Sequence, residues 1–216
     1  MKIEVKNVSK KFKSNYVVEN ANCVFESGKI YGLYGRNGSG KSVFLKMLVS
    51  FYNPTSGEVL FDGVNYQNTS KYPKNVGVLI EHPSFFGDLS GFKNLKILAR
   101  IQNIINDKDI ELALKIVNLL DEKNKKYKEY SLGMRQKLGI AQAIMENPDV
   151  IILDEPFNGI ERVSVEKITN YLKEERDKGK LIIVSSHIKD DLKKMCDEFL
   201  YFDAGKVSIR SDLDEI

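Results

Sequence analysis

A glycine-rich segment follows an apolar run near the start of the chain. It reads Gly35-Arg36-Asn37-Gly38-Ser39-Gly40-Lys41-Ser42 and fits the pattern G-x-x-x-x-G-K-[ST]. Glycines let the backbone curl so that several N–H groups point at one anion, and the N-terminus of a following helix adds partial positive charge. Lys41 is expected to reach the β- and γ-phosphates of a nucleotide, and the Ser42 hydroxyl to ligate Mg²⁺. These residues and Val43 are therefore predicted to bind phosphate.

Two adjacent carboxylates follow another apolar run farther along the chain. Asp154 and Glu155 come directly after residues 150–153, which read Val-Ile-Ile-Leu. A phosphate loop needs a second group to hold its metal ion, and Asp154 is the candidate; Glu155 is placed to orient or deprotonate an attacking water. Taken alone, the pair is also consistent with the first turn of a helix. Together with the phosphate loop, it indicates hydrolysis of a nucleotide.

Strands and helices in a defined order are needed to position these motifs. The predicted strands are residues 3–8, 17–25, 29–34, 57–60 and 76–80, and a helix is predicted at 43–51. From about residue 89 to 146, apolar residues recur at helical spacing: Leu95, Leu98, Ile101, Ile110, Leu114, Val117 and Leu120. From residue 149, aliphatic strands alternate with helices. We predict one α/β domain, with a core at 1–87 and 148–216 and a helical insertion at 88–147.

Composition excludes several other classes of protein. The chain has 216 residues, of which 42% are hydrophobic and 29% charged, which is typical of a globular protein and not of disordered or coiled-coil chains. Its two cysteines have no metal-site spacing, and its net charge of +3 is too slight to drive nucleic-acid binding. No apolar run approaches the roughly 20 residues of a membrane span, and no secretion signal begins the chain. We therefore expect a cytoplasmic protein.

A third motif carries a resemblance to a known family. Residues 130–136 read Tyr-Ser-Leu-Gly-Met-Arg-Gln, and this segment resembles the Leu-Ser-Gly-Gly-Gln signature of the ABC-type ATPases. The other family elements occur in order along the chain: Phe12, the phosphate loop, the Glu81 loop, this signature, Asp154 with Glu155, the turn at 158–161, and His187. The resemblance implies a P-loop NTPase core with an N-terminal antiparallel β subdomain and an inserted helical subdomain.

The resemblance also implies roles for individual residues. Ser131 and Gly133 of the signature would close on ATP held by a second ATPase subunit, in a homodimer or pseudo-dimer. His187 would contact the γ-phosphate and the attacking water, and Phe12 would stack on adenine, with Tyr16 as its rival. Without the resemblance, Ser131 is an ordinary helix N-cap, His187 a structural residue, and either aromatic a core residue.

Three departures from the family pattern concern the same site. Glu81 stands where most of the family has a glutamine that touches the metal or water, so it keeps an oxygen ligand but adds negative charge beside the phosphates. We expect this charge to change the Mg²⁺ dependence of turnover. Leu132 and Met134 replace a glycine and a glutamine of the signature, and Glu161 replaces an aspartate. These last changes are expected to affect dimer closure.

The predicted function is that of an ATP-binding and ATP-hydrolysing subunit of a bacterial transporter, with ATP and Mg²⁺ as cofactors. The segment 80–83, with the signature, resembles the exporter branch that handles bacitracin-like and lantibiotic peptides. That resemblance implies separate transmembrane permease subunits as partners and no binding of nucleic acid. It also implies a peripheral position on the inner face of the cell membrane. The alternatives are a soluble ABC-type ATPase acting on nucleic acid or ribosomes, and a nucleotide-binding module without turnover. A GTPase would need Asn-Lys-x-Asp, but Asn124-Lys125-Lys126 is followed by Tyr127.

Overall fold

The computed structural model describes residues 1–67, 69, 71–81 and 83–214. The strands are β1 (Lys2–Phe12), β2 (Asn15–Glu26), β3 (Lys29–Gly35), β4 (Ser56–Phe61), β5 (Val64–Asn65), β6 (Val76–Leu79), β7 (Val150–Asp154), β8 (Leu181–Ser186), β9 (Glu198–Asp203) and β10 (Lys206–Arg210). The α-helices are α1 (Lys41–Leu48), α2 (Gly91–Gln102), α3 (Asp107–Ile116), α4 (Leu132–Ile144), α5 (Arg162–Asp177) and α6 (Lys189–Lys193). His82, which belongs to the sequence segment 80–83, lies outside the described residues.

One sheet runs through the described part of the chain in the order β5-β4-β1-β2-β10-β9-β3-β8-β7-β6. β1 pairs antiparallel with β2 and β4, whereas β3, β6, β7 and β8 pair parallel with their neighbours in the centre and at one edge. Parallel strands end at the same edge of a sheet, and ligands bind beyond those ends in open α/β sheets. The phosphate loop, Glu81 and Asp154 follow or end these strands and therefore share one edge.

The central strands separate two hydrophobic clusters. Every residue of β7 and β8 is buried, as expected for parallel strands covered on both faces. Ile152 and Ile183 belong to the cluster that includes α1. Ile151 and Ile182 belong to the cluster that includes residues of α2 to α5. Successive residues thus point to opposite faces, and the packing on both faces holds the strand ends in place.

The segment between β6 and β7 contributes α2, α3 and α4. Because β6 and β7 are neighbours in the sheet, the chain leaves and re-enters the sheet at adjacent strands. The division into 1–87, 88–147 and 148–216 stays a prediction. Ile101 was included in the periodic apolar pattern, but it is 77% exposed. It lies about 120° around the axis of α2 from the buried Leu95, away from the packed face.

Helix α1 differs in extent from the predicted 43–51. It begins at Lys41, two residues earlier, and ends at Leu48. The earlier start places Lys41 and Ser42 in the first helical turn, where backbone N–H groups have no partner within the helix. Among the described residues, no helix is both long and apolar enough to span a membrane.

Candidate functional site

The phosphate loop connects β3 directly to α1. Gly38 and Gly40 have φ angles of +81° and +106°, a region that L side chains rarely adopt. A Cβ at Gly40 would also lie 2.4 Å from the carbonyl oxygen of Val17. The N-cap of α1 is Gly40, which offers no side-chain hydrogen bond to the first turn. The loop therefore leaves the N-terminal N–H groups of α1 available to an anion.

Lys41 is the buried cation of this loop. It is 5% exposed, and its Nζ donates to the carbonyl oxygen of Gly35 at 2.6 Å and to that of Arg36 at 3.3 Å. The same Nζ lies 3.3 Å from Oε1 of Glu155. Two of the three residues predicted to be catalytic, Lys41 and Glu155, are thus in contact although they are far apart in the sequence; the third is His187. The ammonium of Lys41 is therefore paired with one carboxylate and hydrogen-bonded to two loop carbonyls.

Asp154 is held by a residue that the motifs did not identify. Asp154 is 4% exposed and accepts a hydrogen bond from the hydroxyl of Ser185, which is fully buried. Ser185 also accepts from the backbone N–H of Glu155, through its Oγ at 3.0 Å and its carbonyl oxygen at 3.2 Å. The signal in the sequence was the change from aliphatic residues to Ser185-Ser186 at the end of β8. Ser185 fixes both carboxylate residues relative to the sheet.

Glu155 joins the phosphate loop to His187. Its Oε2 lies 2.8 Å from Nδ1 of His187, while Oε1 faces Lys41. Glu155 has φ +46°, a sparsely populated conformation that the hydrogen bonds to its backbone stabilise. One of these comes from Gln136, whose Nε2 donates to the carbonyl oxygen of Glu155 at 3.1 Å. A turn follows Asp154, and α5 starts only at Arg162, so the interpretation of the pair as a helix N-terminus is wrong.

The predicted metal ligands line one open cleft. Ser42, Glu81 and Asp154 border it together with Gln136, Glu155 and Asn158. Its volume is about 390 Å³. Glu81 has φ +63°, is 60% exposed, and forms an ion pair with Lys46 of α1. The structure therefore brings together all three side chains that were predicted to hold Mg²⁺.

The cleft fits a nucleotide held with Mg²⁺. The hydroxyl of Ser39 in the loop is buried and has no hydrogen-bond partner among the described residues. Val17 and residues 37–43 form a second pocket that Glu155 also borders. A hydroxyl and carboxylates are the oxygen ligands that Mg²⁺ prefers, ordinarily alongside substrate phosphates. Ser42, Glu81 and Asp154 are therefore suitable to hold it.

The signature segment begins α4. Ser131 is the N-cap, and its Oγ accepts from the N–H of Met134 at 3.2 Å. A Cβ at Gly133 would lie 2.2 Å from the carbonyl oxygen of Gly159, so this position packs backbone against backbone. Ser131 is exposed, and Leu132 is 61% exposed. Within one chain Ser131 acts as a helix cap, and its contact with a second subunit's ATP stays a prediction.

Glu161 ties the turn after Glu155 to α4. Its Oε1 lies 2.8 Å from Nζ of Lys137 and accepts from the hydroxyl of Ser164 at 2.5 Å. The hydrogen bond from Lys137, followed by that from Ser164, lowers the pKa of Glu161 to about 2. The Lys137 side chain is only 7% exposed, so Glu161 supplies the counter-charge for a nearly buried ammonium.

The two candidates for adenine stacking lie on either side of the β1–β2 turn. Phe12 is 44% exposed and meets the ring of Tyr52 edge to face at 5.9 Å, with Nζ of Lys10 5.2 Å from its centroid. Tyr16 is 49% exposed, with Nζ of Lys11 5.1 Å from its ring. Both rings are accessible, and the assignment of Phe12 stays a prediction.

An apolar groove lies beyond the Glu81 loop. Its lining residues are Ser84, Phe85, Phe86, Asn94, Ile97 and Leu98. Asn94 fixes the loop to α2: its Oδ1 accepts from the N–H of Phe86 at 2.9 Å, and its Nδ2 donates to the carbonyl oxygen of Phe86 at 3.1 Å. Phe86 is nevertheless 65% exposed, and Ile97 on the facing helix α2 is 39% exposed. Exposed apolar groups clustered in this way mark a contact surface.

Comparisons with known proteins agree with this geometry. A family model described as ABC transporter matches residues 18–158. The chain is 40% identical over 205 residues to an uncharacterized ABC transporter ATP-binding protein, YybJ of Bacillus subtilis, covering 95% of this chain and 94% of that one. It is 41% identical over 197 residues to the bacitracin transport ATP-binding protein BcrA of Enterococcus faecalis, covering 90% of this chain but 64% of that one.

A solved structure gives the same result for the fold. It is described as the ATP binding subunit of an ABC transporter, and it superposes with a TM-score of 0.87 at 25% identity over 100% of this chain and 91% of that one. The predicted α/β fold, with a P-loop core, is therefore confirmed.

Proposed function

Because this chain belongs to the ABC transporter family, we propose that its cleft binds ATP with Mg²⁺ and hydrolyses it to drive a transporter. The observation that carries the proposal is the contact of one carboxylate, Glu155, with both Lys41 and His187. The contact places Lys41, the phosphate-binding cation, beside Glu155, a carboxylate able to accept a proton from water. The residues come from three separate strand ends, which meet because β3, β7 and β8 are parallel neighbours.

Lys41 and Glu155 change partners when a triphosphate enters the loop. The phosphates take the place of the loop carbonyls and of Glu155 around the buried ammonium of Lys41, which stabilises charge developing during transfer. Glu155 then keeps its contact with His187 and accepts the proton of the attacking water. The water oxygen bonds to the γ-phosphorus as the bond from that phosphorus to the bridging oxygen breaks. Mg²⁺, held by Ser42, Asp154 and Glu81, would neutralise phosphate charge.

The test compares E155Q with the wild-type chain. E155Q keeps the shape of the side chain but cannot accept the proton, so we expect ATP binding within about threefold of wild type and phosphate release reduced by at least about a hundredfold. E166Q, a change at an exposed glutamate of α5, is the matched control and is expected to hydrolyse normally. Phosphate release by E155Q at the wild-type rate would contradict the proposed role.

The partner that this ATPase drives would be a separate membrane permease. The apolar groove at Phe86 and Ile97 supports this, since an amphipathic helix of a permease would fit such a groove. The loop at the edge of the groove also leads back to Glu81. F86D is expected to abolish co-purification with a permease subunit expressed together with this chain, whereas F51D, at a comparably exposed phenylalanine, is expected to retain it. Equal recovery of permease with both variants would contradict this surface.

The substrate class is proposed from the relatives. The similarity to BcrA, described as a bacitracin transport protein, supports export of a peptide antibiotic or drug. The chain would then work in the cytoplasm, at the inner face of the cell membrane. ATP would be sandwiched between two such subunits, with Ser131 and Gly133 of each facing the phosphates held by the other.

A further inference from the structure

Three carboxylates line the cleft, and their negative charge disfavours the binding of phosphate. Glu81, Asp154 and Glu155 all border it. Glu81 and Glu155 each lie two residues after the paired positions Leu79 and Leu153 at the ends of β6 and β7. Lys41 is already engaged with Glu155 at 3.3 Å. A carboxylate repels a triphosphate, so Glu81 without a counter-charge would weaken nucleotide binding until a metal ion arrives.

Lys46 is positioned to supply that counter-charge. It lies four residues after Ser42 in α1, and residues spaced by four share one face of a helix. Its Nζ is paired with Oε1 of Glu81, and the side chain is only 16% exposed. The ammonium also lies 5.1 Å from the centroid of the Tyr52 ring, which limits its movement. Lys46 is therefore held at the wall that carries Ser42, facing Glu81.

We propose that Lys46 is a positioning residue that neutralises Glu81 and holds its carboxylate against α1, so that ATP can enter before Mg²⁺ compensates the charge. The inference rests on the proposed binding of ATP in this cleft. It concerns the charge at position 81, where a glutamine would need no such partner.

The ion pair between Lys46 and Glu81 is expected to contribute little to the stability of the fold. Glu81 is 60% exposed, and ion pairs open to solvent contribute little to folding stability. After replacement of Lys46 by methionine, the methionine side chain can still pack beside Tyr52, as the aliphatic part of the lysine does. K46M should therefore fold normally, and its defect should appear in nucleotide binding and depend on whether residue 81 is charged.

The experiment measures equilibrium binding of ATP in EDTA and again with Mg²⁺, using the whole chain. In EDTA, K46M is expected to bind ATP about tenfold more weakly than wild type, the effect of one unpaired charge near the phosphates. K46M/E81Q is expected to match E81Q within about twofold, and K46R, which keeps the charge, to bind as wild type does. With Mg²⁺ the deficit of K46M should shrink, because the cation offsets Glu81.

K96M is the matched control. Lys96 of α2 also pairs with a carboxylate, Asp107 at 2.6 Å, and also lies near an aromatic ring, Phe92 at 5.7 Å. Its partner Asp107 is not among the residues that line the cleft, whereas Glu81, the partner of Lys46, is. K96M is expected to bind ATP normally. Wild-type affinity in K46M, or a double variant as weak as K46M, would overturn the role of Lys46. Absence of ATP binding by the wild-type chain would instead overturn the proposed function.

Discussion

Single hydrogen bonds decide how well the carboxylates of the cleft are oriented. Asp154 is almost fully buried at the end of β7, and a buried carboxylate without a donor would be costly. Ser185, its neighbour in the paired strands, donates to it and also accepts from the N–H of Glu155. One hydroxyl therefore orients the metal-side carboxylate and the backbone of the proposed base together.

Ser185 is predicted to set the affinity for Mg²⁺ without touching it. S185A removes the donor to Asp154, and loss of a hydrogen bond that orients a ligand typically weakens metal binding by tenfold or more. We expect the Mg²⁺ concentration at half-maximal hydrolysis to rise about tenfold, as measured by phosphate release in a Mg²⁺ titration. The control is S186A, since Ser186 is also buried but accepts from the N–H of Ile188. Identical titrations for the two variants would contradict the prediction.

The change from glutamine to glutamate is also a residue-scale effect. The expectation that Glu81 alters the Mg²⁺ dependence of turnover stays a prediction, and the ion pair with Lys46 gives it a physical basis. A carboxylate shared between a lysine and a metal ion is a stronger ligand than an amide, but it is also a stronger repellent of phosphate.

At the scale of elements, α4 and α5 are connected through the turn that follows Glu155. Lys137 of α4 is nearly buried and pairs with Glu161, which occupies the N-cap position of α5. Gly133 packs on the backbone of Gly159 in the same turn. The start of the signature helix and the turn after the proposed base are therefore joined by a direct backbone contact and an ion pair.

Glu161 is predicted to stabilise the fold above about pH 4.5. Its pKa is lowered from 4.5 to about 2 in the folded chain, so its contribution is fully present above the unfolded value and is lost as the pH falls toward 2. E161Q is expected to lose about 1 kcal/mol at pH 7, a value kept small because Glu161 is half exposed.

The measurement is urea unfolding of both chains between pH 7 and pH 3. The difference in free energy of unfolding between wild type and E161Q should narrow below about pH 4.5, since the wild-type carboxylate then becomes protonated in the unfolded chain. E166Q, at an exposed pair in α5, should show no such narrowing. A constant difference across this range would exclude the ion pair as its source.

At the scale of the whole molecule, one chain presents two helix N-termini suited to phosphate. The start of α1 belongs to the phosphate loop, while Ser131 begins α4 on the surface. A second copy would bring the start of its α4 to the phosphates held by the first, and the first would do the same in return. Such an arrangement is two-fold symmetric and closes on itself.

ATP is therefore predicted to control the oligomeric state. E155Q, which binds ATP without turning it over, is expected to elute as a dimer with ATP and Mg²⁺ and as a monomer without nucleotide, as measured by size-exclusion chromatography with light scattering. K41M in the E155Q background removes the phosphate-binding cation and should remain monomeric. A monomer under all conditions would contradict closure of two identical subunits.

Much of the cleft was predictable because its chemistry lies in contiguous motifs. The phosphate loop is a run of neighbouring residues whose backbone and side chains bind one group, so Lys41 and Ser42 could be identified without the fold. Asp154 and Glu155 could be identified because they are the carboxylates that directly follow an aliphatic run typical of a buried strand. The predicted extent of α1 was less accurate, since the ends of a helix depend on capping geometry, which the spacing of apolar residues does not encode.

The partners of these residues required the folded chain. Ser185 is one of two adjacent serines, and only the register of β8 against β7 sets it beside Asp154. Lys46 is one lysine among many, and only the fold, which brings α1 close to the loop after β6, sets it beside Glu81. Local patterns specify which groups can carry out chemistry, because backbone and side chain act within a few residues. Strand order and packing decide which charges meet, because those contacts join residues far apart in the chain.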